Sequence, residues 1–373
     1  MQVSIIIVSY KVPYHLCLCL ASLREALDDL EAEIIVVDNN SQDNTRSILS
    51  RHFPEIVYIQ NASNIGFSKA NNQAIKQAKG EFICLINPDT IIGKDVIKQA
   101  IMKHKSLNQC GILGVKLLDG TGSFLPESKI NKLTLKTATL KLIGLSDSYY
   151  NNNLQENEEG ETATLVGAFM CFKAKDYKTV DGLDENYFMY GEDIDLSYQF
   201  ENVGLKNYYL GSQEIIHFKG ESTLRDKLYF QRFFDSTKLY FKKHYTNSTV
   251  MIGFASVFFK IAKYFKKNQM QKSSNNKILY KAIYYIGEDQ DLMKSIHTLY
   301  KMKVIQIDFS NAVNKDFTRS LIVFDSSQNQ FSDIISIMSK NNHGSNMFRI
   351  KIPFHNMLLG SDSSTSQGDI LKL

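Results

Sequence analysis

Three acidic side chains occupy four positions of the stretch YFMYGEDIDLSYQF at residues 187–200, namely Glu192, Asp193 and Asp195. They follow a run of aromatic residues. Like charges at close range raise one another's pKa, and an apolar wall disfavours ionisation further. A carboxylate with a raised pKa suits a general base that accepts a proton near neutral pH. The alternative is structural, because acids in the first turn of a helix running to about Asn202 also suit the helix dipole.

Two further acids end apolar stretches that are typical of strands: Asp38 in EIIVVDNN and Asp89 in EFICLINPD. Ligands of open α/β sheets gather at the carboxyl ends of the strands, so we expect both acids in one site. If the substrate is a sugar carried on a nucleoside diphosphate, a single strand-end carboxylate can hold Mg²⁺ or Mn²⁺ against the diphosphate oxygens, which is the role predicted for Asp89. Asp38 is predicted to hydrogen-bond a nucleoside. His217 is a candidate second metal ligand, with a purely structural histidine as the alternative.

The elements that must position these residues alternate regularly along the first 120 residues, which predicts a parallel sheet covered by helices. The predicted strands cover residues 3–10, 33–40, 56–61 and 81–89, and the predicted helices cover 14–27, 43–52, 69–78 and 95–105. The first part of the chain is therefore predicted to be an α/β nucleotide-binding fold.

The middle of the chain is less regular. Residues 121–161 are polar, and the composition of NNNLQENEEGE at their end favours a mobile loop over core. A buried strand is predicted at 164–174, and two short strands at 207–223. An aromatic-rich helix is predicted from Asp226 to His244.

The segment TVMIGFASVFFKIAKYFKK at 249–267 has apolar residues on one helical face and Lys260, Lys263 and Lys267 opposite. Its lysines and its length argue against a membrane span, which needs about 20 apolar residues. The pattern favours a helix lying in the headgroup layer, with the lysines attracted to anionic lipid. A core helix with a solvated basic side is the alternative.

Strand and helix patterns return after a linker-like stretch at 269–277 and predict a small second α/β domain. The Ser/Gly-rich end, GSDSSTSQGDILKL, is expected to be loose. We therefore predict a first domain at 1–247, a basic helix and linker at 248–277, and the small domain at 278–373.

Composition limits the classes of protein. The chain has 373 residues and a net charge of +4, which by itself does not indicate nucleic-acid binding. Its five cysteines form no CxxC pair, which suggests reduced thiols. The N-terminal sequence, MQVSIIIVSYK, has no positively charged segment before its apolar run, and that run is too short for a signal peptide. We expect a cytoplasmic protein, with the basic helix as a peripheral contact to the inner face of the membrane.

Taken together, these motifs closely resemble glycosyltransferase family 2, particularly its rhamnosyltransferase-like bacterial members. The resemblance covers about residues 3–245 and rests on SIIIVSY, VVDNNSQDNT, NIGFSKANNQ, GEFICLINPDT, LVGAFMCFKA, GLDENYFMYGEDIDLSYQF and IIHFKGEST, in that order. It implies a GT-A fold and inverting transfer from a nucleotide sugar to a growing glycan.

The resemblance also implies roles for individual residues. Asp38 contacts the base or ribose, Asp89 holds the metal, Asp193 is the base, and His217 lies near the metal and diphosphate. Glu192 is a second catalytic candidate that contacts the acceptor, whereas Asp195 is expected to cap or brace its helix. The candidate nucleotide-sugar residues are Ser9, Tyr10, Asp38, Asn40, Asn64, Gly66, Asn71, Asn87 and Asp89. For Asn64 and Asn71 the alternative is that they only hold the loop.

Many family members carry an acid where this chain has Asn87, so metal binding is expected to depend more on Asp89. A dinucleotide-binding oxidoreductase is disfavoured because the first turn, VSYKVPYH, has no glycine to bring backbone close to a pyrophosphate. An inactive glycan-binding protein stays open as an alternative. Three further questions stay open. The enzyme could hydrolyse the donor instead of transferring its sugar, the donor could be dTDP-, UDP- or GDP-linked, and the acceptor could be lipid-linked or a polysaccharide.

Overall fold

The computed structural model describes residues 1–142, 145–218, 227–245, 280–343, 345–362 and 368–373. The amphipathic helix predicted at 249–267, the linker at 269–277 and the end of IIHFKGEST lie outside these ranges. Within them, no helix is both long enough and apolar enough to cross a membrane.

Among the described residues, the first sheet has nine strands. They are β1 (Val3–Ser9), β2 (Ala32–Asp38), β3 (Val57–Gln60), β4 (Phe82–Ile86), β5 (Thr90–Ile92), β6 (Cys110–Leu118), β7 (Glu159–Glu161), β8 (Phe169–Lys173) and β9 (Lys206–His217). The helices around it are α1 (Pro13–Ala26), α2 (Thr45–His52), α3 (Phe67–Ile75), α4 (Val96–Ser106), α5 (Leu135–Leu142), α6 (Ala174–Thr179), α7 (Glu192–Asn202) and α8 (Lys227–His244), with a short 3-10 helix at Pro126–Ser128.

The strand order is β3-β2-β1-β4-β8-β6-β9-β5, and β7 pairs with β9. Strands β1 to β4 are mutually parallel, and β8 runs antiparallel to β4. Every residue of β1 is buried, as expected for a central parallel strand covered on both faces. Strand β1 lies between β2 and β4. Asp38 at the end of β2 and Asp89 after the end of β4 therefore lie on opposite sides of β1 and are not in direct contact.

A second sheet follows in the C-terminal part. Its strands are β10 (Ala282–Ile286), β11 (Val304–Ile307), β12 (Ser320–Phe324), β13 (Met347–Lys351), β14 (Met357–Gly360) and β15 (Asp369–Lys372), in the order β11-β10-β12-β13-β14-β15. Its helices are α9 (Gln290–Tyr300), α10 (Phe309–Val313) and α11 (Phe331–Lys340). The predicted architecture, a mixed, mostly parallel α/β sheet with helices plus a smaller α/β unit, is confirmed. The domain boundaries stay a prediction, since both fall within or beside 246–279.

Three local predictions were wrong. The polar segment at 151–161 is ordered against the first sheet, because β7 pairs with β9 and the Gly211 amide donates to the Glu158 carbonyl (3.1 Å). Residues 207–217 form one strand with an irregular register to β6 instead of two strands. The C-terminal stretch is not wholly loose, because β14 and β15 pair there, and Arg349 binds Asp362 and Asp369.

The predicted strand at 164–174 is also shorter than expected, since β8 begins at Phe169. Thr164 instead makes an isolated bridge to Ile130. The irregular backbone between them approaches the acidic start of α7, which gives these residues a place in the candidate site.

Candidate functional site

The acidic stretch begins α7 as predicted, directly after Gly191, whose φ of +83° is left-handed. A glycine suits this turn because other residues pay a steric penalty there. The three acids that follow have different surroundings, although they lie in one helical turn.

Asp193 is partly buried and held by backbone amides. Its Oδ2 accepts a hydrogen bond from the Gly167 amide (3.2 Å) and its Oδ1 from the Ile194 amide (2.8 Å). Burial raises the pKa of this carboxyl, while the two amides oppose the rise by favouring its charged form. The side chain is thus a fixed carboxylate with enhanced proton affinity, which is the property required of a general base.

Glu192 is buried, and its Oε2 has no hydrogen-bond partner in the described part of the chain. Burial first, and then the charge of Asp193, raise its pKa well above the usual range. The two amide donors favour the charged form of Asp193, whereas burial and the unpartnered Oε2 favour the protonated form of Glu192.

Asp195 is fully buried and binds the end of α8. Its carboxylate accepts from His244 Nε2 (2.6 Å), Lys243 Nζ (2.9 Å) and Gln199 Nε2 (2.7 Å). These contacts match the bracing role expected of it, since they tie α7 to α8.

The metal candidates Asp89 and His217 lie together. Asp89 is buried just before β5, and its Oδ1 is 3.4 Å from His217 Nε2. Strand pairing sets this approach, because Thr90 lies opposite His217 and the Phe218 amide donates to the Asp89 carbonyl (2.9 Å). Burial would raise the pKa of Asp89, but the adjacent His217 outweighs it, so the pKa is lowered.

These residues fit a divalent cation with few protein ligands. Among the described residues there is no group of three or more His, Cys, Asp or Glu that could hold a metal ion. One carboxylate and one imidazole leave the remaining positions to diphosphate oxygens and water, as is usual for Mg²⁺ with nucleotides. Asn87 lies beside them, with Nδ2 3.4 Å from His217 Nε2.

Two adjacent residues join the metal candidates to the base candidate. The Asn87 amide donates to the Ala168 carbonyl (3.2 Å), and the preceding Gly167 donates to Asp193. Because Asn87 is two residues from Asp89, both candidates flank one segment, 167–168. The motif LVGAFMCFKA was predicted to be only a buried strand. Its residues Gly167 and Ala168 instead contribute backbone groups to the site.

The loop NIGFSKANNQ borders the same region. Gly66 has a left-handed φ of +89°, and a Cβ there would lie 2.7 Å from the Phe188 carbonyl oxygen. The next amide, of Phe67, donates to that same carbonyl (2.7 Å). The glycine is required because this loop closes tightly against the residues that precede the acidic cluster.

Asp38 is buried at the end of β2, and both its oxygens bind protein groups. Oδ1 accepts from the Ser41 amide (2.8 Å) and Oδ2 from the Tyr58 hydroxyl (2.8 Å). A carboxylate oxygen has two acceptor sites, so these bonds leave capacity for a nucleoside.

The asparagines mainly support the loop. Asn64 Oδ1 accepts from Asn39 Nδ2 (2.9 Å) and from the Gly66 amide (3.1 Å), while Asn71 Nδ2 donates to the Phe67 carbonyl (2.9 Å). These bonds agree with the structural alternative for Asn64 and Asn71.

The other nucleotide candidates lie near the end of β1 and the start of the β2 loop. Ser9 is buried at the carboxyl end of β1, and its Oγ has no hydrogen-bond partner among the described residues. Tyr10 and Asn40 are partly exposed, and Asn40 has a φ of +68°.

Sequence reasoning missed three contributors. Asn39 binds Asn64 and Gly66, Gly167 holds Asp193, and His15 packs edge-on against Phe218 with ring centroids 5.6 Å apart. Burial lowers the pKa of His15 to about 4 against the charge of Asp89, so this imidazole is neutral at neutral pH. The position of His15 just after the turn between the first strand and the first helix could have indicated that it lies near the site.

Residues 4–176 match the family model described as Glycosyl transferase family 2. The chain carries a family 2 glycosyltransferase domain. The matched range includes Asp38 and Asp89, whereas Asp193 and His217 lie beyond it. The predicted family and transferase activity are confirmed for the matched residues.

Curated relatives extend the similarity. The N-acetylglucosaminyl-diphospho-decaprenol L-rhamnosyltransferase of Mycobacterium tuberculosis is 26% identical over 240 residues, covering 60% of this glycosyltransferase and 78% of the relative. The rhamnosyltransferase WbbL of Escherichia coli is 27% identical over 228 residues, covering 58% and 83%. Among solved structures, the mannosyltransferase PcManGT from Pyrobaculum calidifontis, in complex with GDP-Man and Mn²⁺, has a TM-score of 0.46 at 16% identity, covering 65% of this chain and 63% of that chain.

Proposed function

We propose that this glycosyltransferase moves a sugar from a nucleoside diphosphate to a hydroxyl of a glycan or lipid-linked acceptor, with inversion at the anomeric carbon. One observation carries the proposal: the segment 167–168 hydrogen-bonds both Asn87, beside the Asp89–His217 pair, and Asp193. A leaving-group site and a base held by one short backbone segment are what a single displacement needs.

On the donor side, Asp89 and His217 would hold Mg²⁺ or Mn²⁺. When bound, the cation supplies charge stabilisation to the departing diphosphate. Ser9, Tyr10, Asp38 and Asn40 surround the carboxyl ends of β1 and β2, where a nucleoside would lie. Asn87 would donate to a phosphate or sugar oxygen, and Gly66 would let the loop NIGFSKANNQ close against Phe188 beside the sugar.

On the acceptor side, Asp193 takes the proton from the acceptor hydroxyl as its oxygen attacks the anomeric carbon. The bond from that carbon to the diphosphate oxygen breaks, and the nucleoside diphosphate leaves with the electron pair. Glu192, kept neutral by burial, is a hydrogen-bond donor to an acceptor oxygen. The amides of Gly167 and Ile194 fix the Asp193 carboxylate before the acceptor arrives.

The relatives named above support rhamnosyl transfer to a sugar carried on a polyprenyl diphosphate as one specific form of this activity. Such an acceptor agrees with a cytoplasmic enzyme in cell-envelope polysaccharide synthesis that contacts the membrane surface. The helix predicted for that contact lies outside the described residues, and its lipid binding stays a prediction.

The donor test is a screen of dTDP-, UDP- and GDP-sugars for thermal stabilisation with and without Mg²⁺ or Mn²⁺. We expect one donor to stabilise the wild type in a metal-dependent way and Asp89→Ala to lose that dependence. Asp95→Ala removes an exposed carboxylate six residues away and is the matched control. Equal, metal-dependent stabilisation of wild type and Asp89→Ala would remove the metal role of Asp89.

A second measurement separates transfer from hydrolysis and from an inactive binding protein. Products of the identified donor are analysed with and without a diphosphate-linked acceptor. Glycosylated acceptor supports the proposal. Free sugar in equal amounts under both conditions would make the protein a hydrolase, and unchanged donor with the acceptor present would contradict transfer to this acceptor class.

A further inference from the structure

The C-terminal unit contacts the first sheet at the edge that carries the metal candidates. Strand β5 (Thr90–Ile92) follows Asp89 directly and is the last strand in the sheet order. Its sheet partner among the described strands is β9, which ends at His217. A three-residue edge strand is a weak positioning element by itself. The spacing of Asp89 and His217 therefore depends on what holds β5 against β9.

Helix α11 (Phe331–Lys340) packs against both strands. Its buried apolar side chains form one core cluster with those of β5 and β9. That cluster includes Phe331, Ile334, Ile335, Ile337 and Met338 from the helix, and Ile91, Ile92, Ile215 and Ile216 from the strands. Burial of each such side chain contributes roughly 1.5–3 kcal/mol, so this contact stabilises the edge together with α1, whose Ser22 Oγ accepts a hydrogen bond from the Ile92 amide (3.0 Å).

Polar contacts fix both ends of the helix. Near its end, Ser339 Oγ donates to Glu214 Oε2 (3.1 Å), and Glu214 lies on β9 three residues before His217. At its start, the Phe331 amide donates to Glu25 Oε2 (3.3 Å) on α1. These bonds prevent the helix from sliding along the sheet edge.

We propose that α11 is a positioning element of the catalytic site, which holds β5 against β9 and so sets the spacing of Asp89 and His217. The inference rests on the proposed function to the extent that this pair binds the metal. It gives residues 331–340 a role that the family match at 4–176 does not cover.

Gly122 offers a sharp test. It lies in the turn after β6, has a φ of +79°, and a Cβ there would overlap the carbonyl oxygen of Met338 on α11. Gly122→Ala should therefore push the helix away from the sheet. Gly204→Ala is the matched control, because Gly204 has a similar φ of +85° but nothing within 4 Å of an added Cβ.

The readout is amide hydrogen exchange over residues 215–218 in the full chain. We expect exchange there to rise at least tenfold in Gly122→Ala and to stay within twofold of wild type in Gly204→Ala. Equal exchange in the two variants would overturn the role of α11. If Gly122→Ala fails to fold, Ser339→Ala is the test variant, and Ser336→Ala, which alters an exposed serine of the same helix, is its control. Faster exchange over residues 215–218 only in Ser339→Ala supports the proposal. Equal exchange in the two variants overturns it.

Calorimetric titration with Mn²⁺ alone is the second readout. We expect the Mn²⁺ dissociation constant of Gly122→Ala to exceed that of Gly204→Ala about tenfold. If wild type binds no Mn²⁺, the metal part of the proposed function fails, while the exchange experiment still decides whether α11 positions the strand pair. Unchanged Mn²⁺ affinity despite faster exchange would overturn the link between the helix and the metal site.

Discussion

At the scale of single residues, the site depends on giving adjacent carboxyls different environments. Two backbone amides bind Asp193, whereas Glu192 Oε2 has no donor among the described residues. The same chemical group is thereby suited to accept a proton at one position and to donate a hydrogen bond at the next.

Asp193→Asn should strongly reduce transfer while donor binding persists, since the amide keeps the shape but cannot accept the proton. We expect a loss of about 10²–10⁴-fold in kcat, the usual contribution of a general base. The wild-type rate should fall as pH drops, because the base must be ionised, and the midpoint should lie above that of a free Asp because burial raises this pKa. Retained turnover in the variant, with donor affinity intact, would refute the assignment.

Glu192→Gln should stabilise the protein at neutral and higher pH. The folded-state pKa of Glu192 is raised, so folding of the wild type costs progressively more as pH rises above the unfolded value of roughly 4.3. The difference between variant and wild type in urea unfolding should grow by up to about 1.4 kcal/mol per pH unit until the folded pKa is reached. Exposed Glu288→Gln is the control. A difference that does not change with pH would show that Glu192 does not titrate as inferred.

At the scale of elements, α7 and α8 act as a unit because Asp195 joins them. Its carboxylate has no exposed surface and binds both Lys243 and His244 at the end of α8. The catalytic helix is thereby fixed at the turn that carries Asp193.

Asp195→Asn should destabilise the fold by about 3 kcal/mol, because it leaves the buried His244 beside a neutral amide and Lys243 with Asp184 as its remaining ion-pair partner (2.8 Å). The matched control is Asp291→Asn, which breaks the exposed Lys294–Asp291 pair on α9 and should cost less than about 1 kcal/mol. Chemical denaturation of both variants measures the difference. Equal losses would mean that the bracing contacts contribute little.

At the scale of the whole molecule, the two sheets share one apolar core. The largest core cluster joins residues of β1, β4 and β5 to residues of β12, β13 and α11. Aromatic contacts add to it, with His52 stacked on Phe354 at 4.4 Å and Tyr14 edge-on to His355 at 5.3 Å.

Scanning calorimetry of the full chain should therefore show a single cooperative unfolding transition, since separating the sheets would expose this core to water. Phe354→Ala should lower the midpoint without splitting the transition. Two resolved transitions in the wild type would contradict the shared core and would also weaken the case for α11 as part of the site.

The sequence by itself determined the elements and the chemical types at their ends. Alternation of apolar residues is a local property, so β1 to β4, their helices and the start of α7 at Glu192 were predictable from short windows. The residue types of Asp38, Asp89, Asp193 and His217 likewise indicated metal and proton chemistry before any contact was known.

Only the tertiary structure decided which of these groups meet. No local pattern shows that the Gly167 amide binds Asp193 or that Asp195 forms ion pairs with Lys243 and His244. Nor does a local pattern show that the polar segment at 151–161 pairs with β9. Such contacts join residues far apart in the chain, and their partners are selected by packing of the whole core. The docking of α11 beside β5 belongs to the same class, because an apolar helix face shows that it will be buried but not what will cover it.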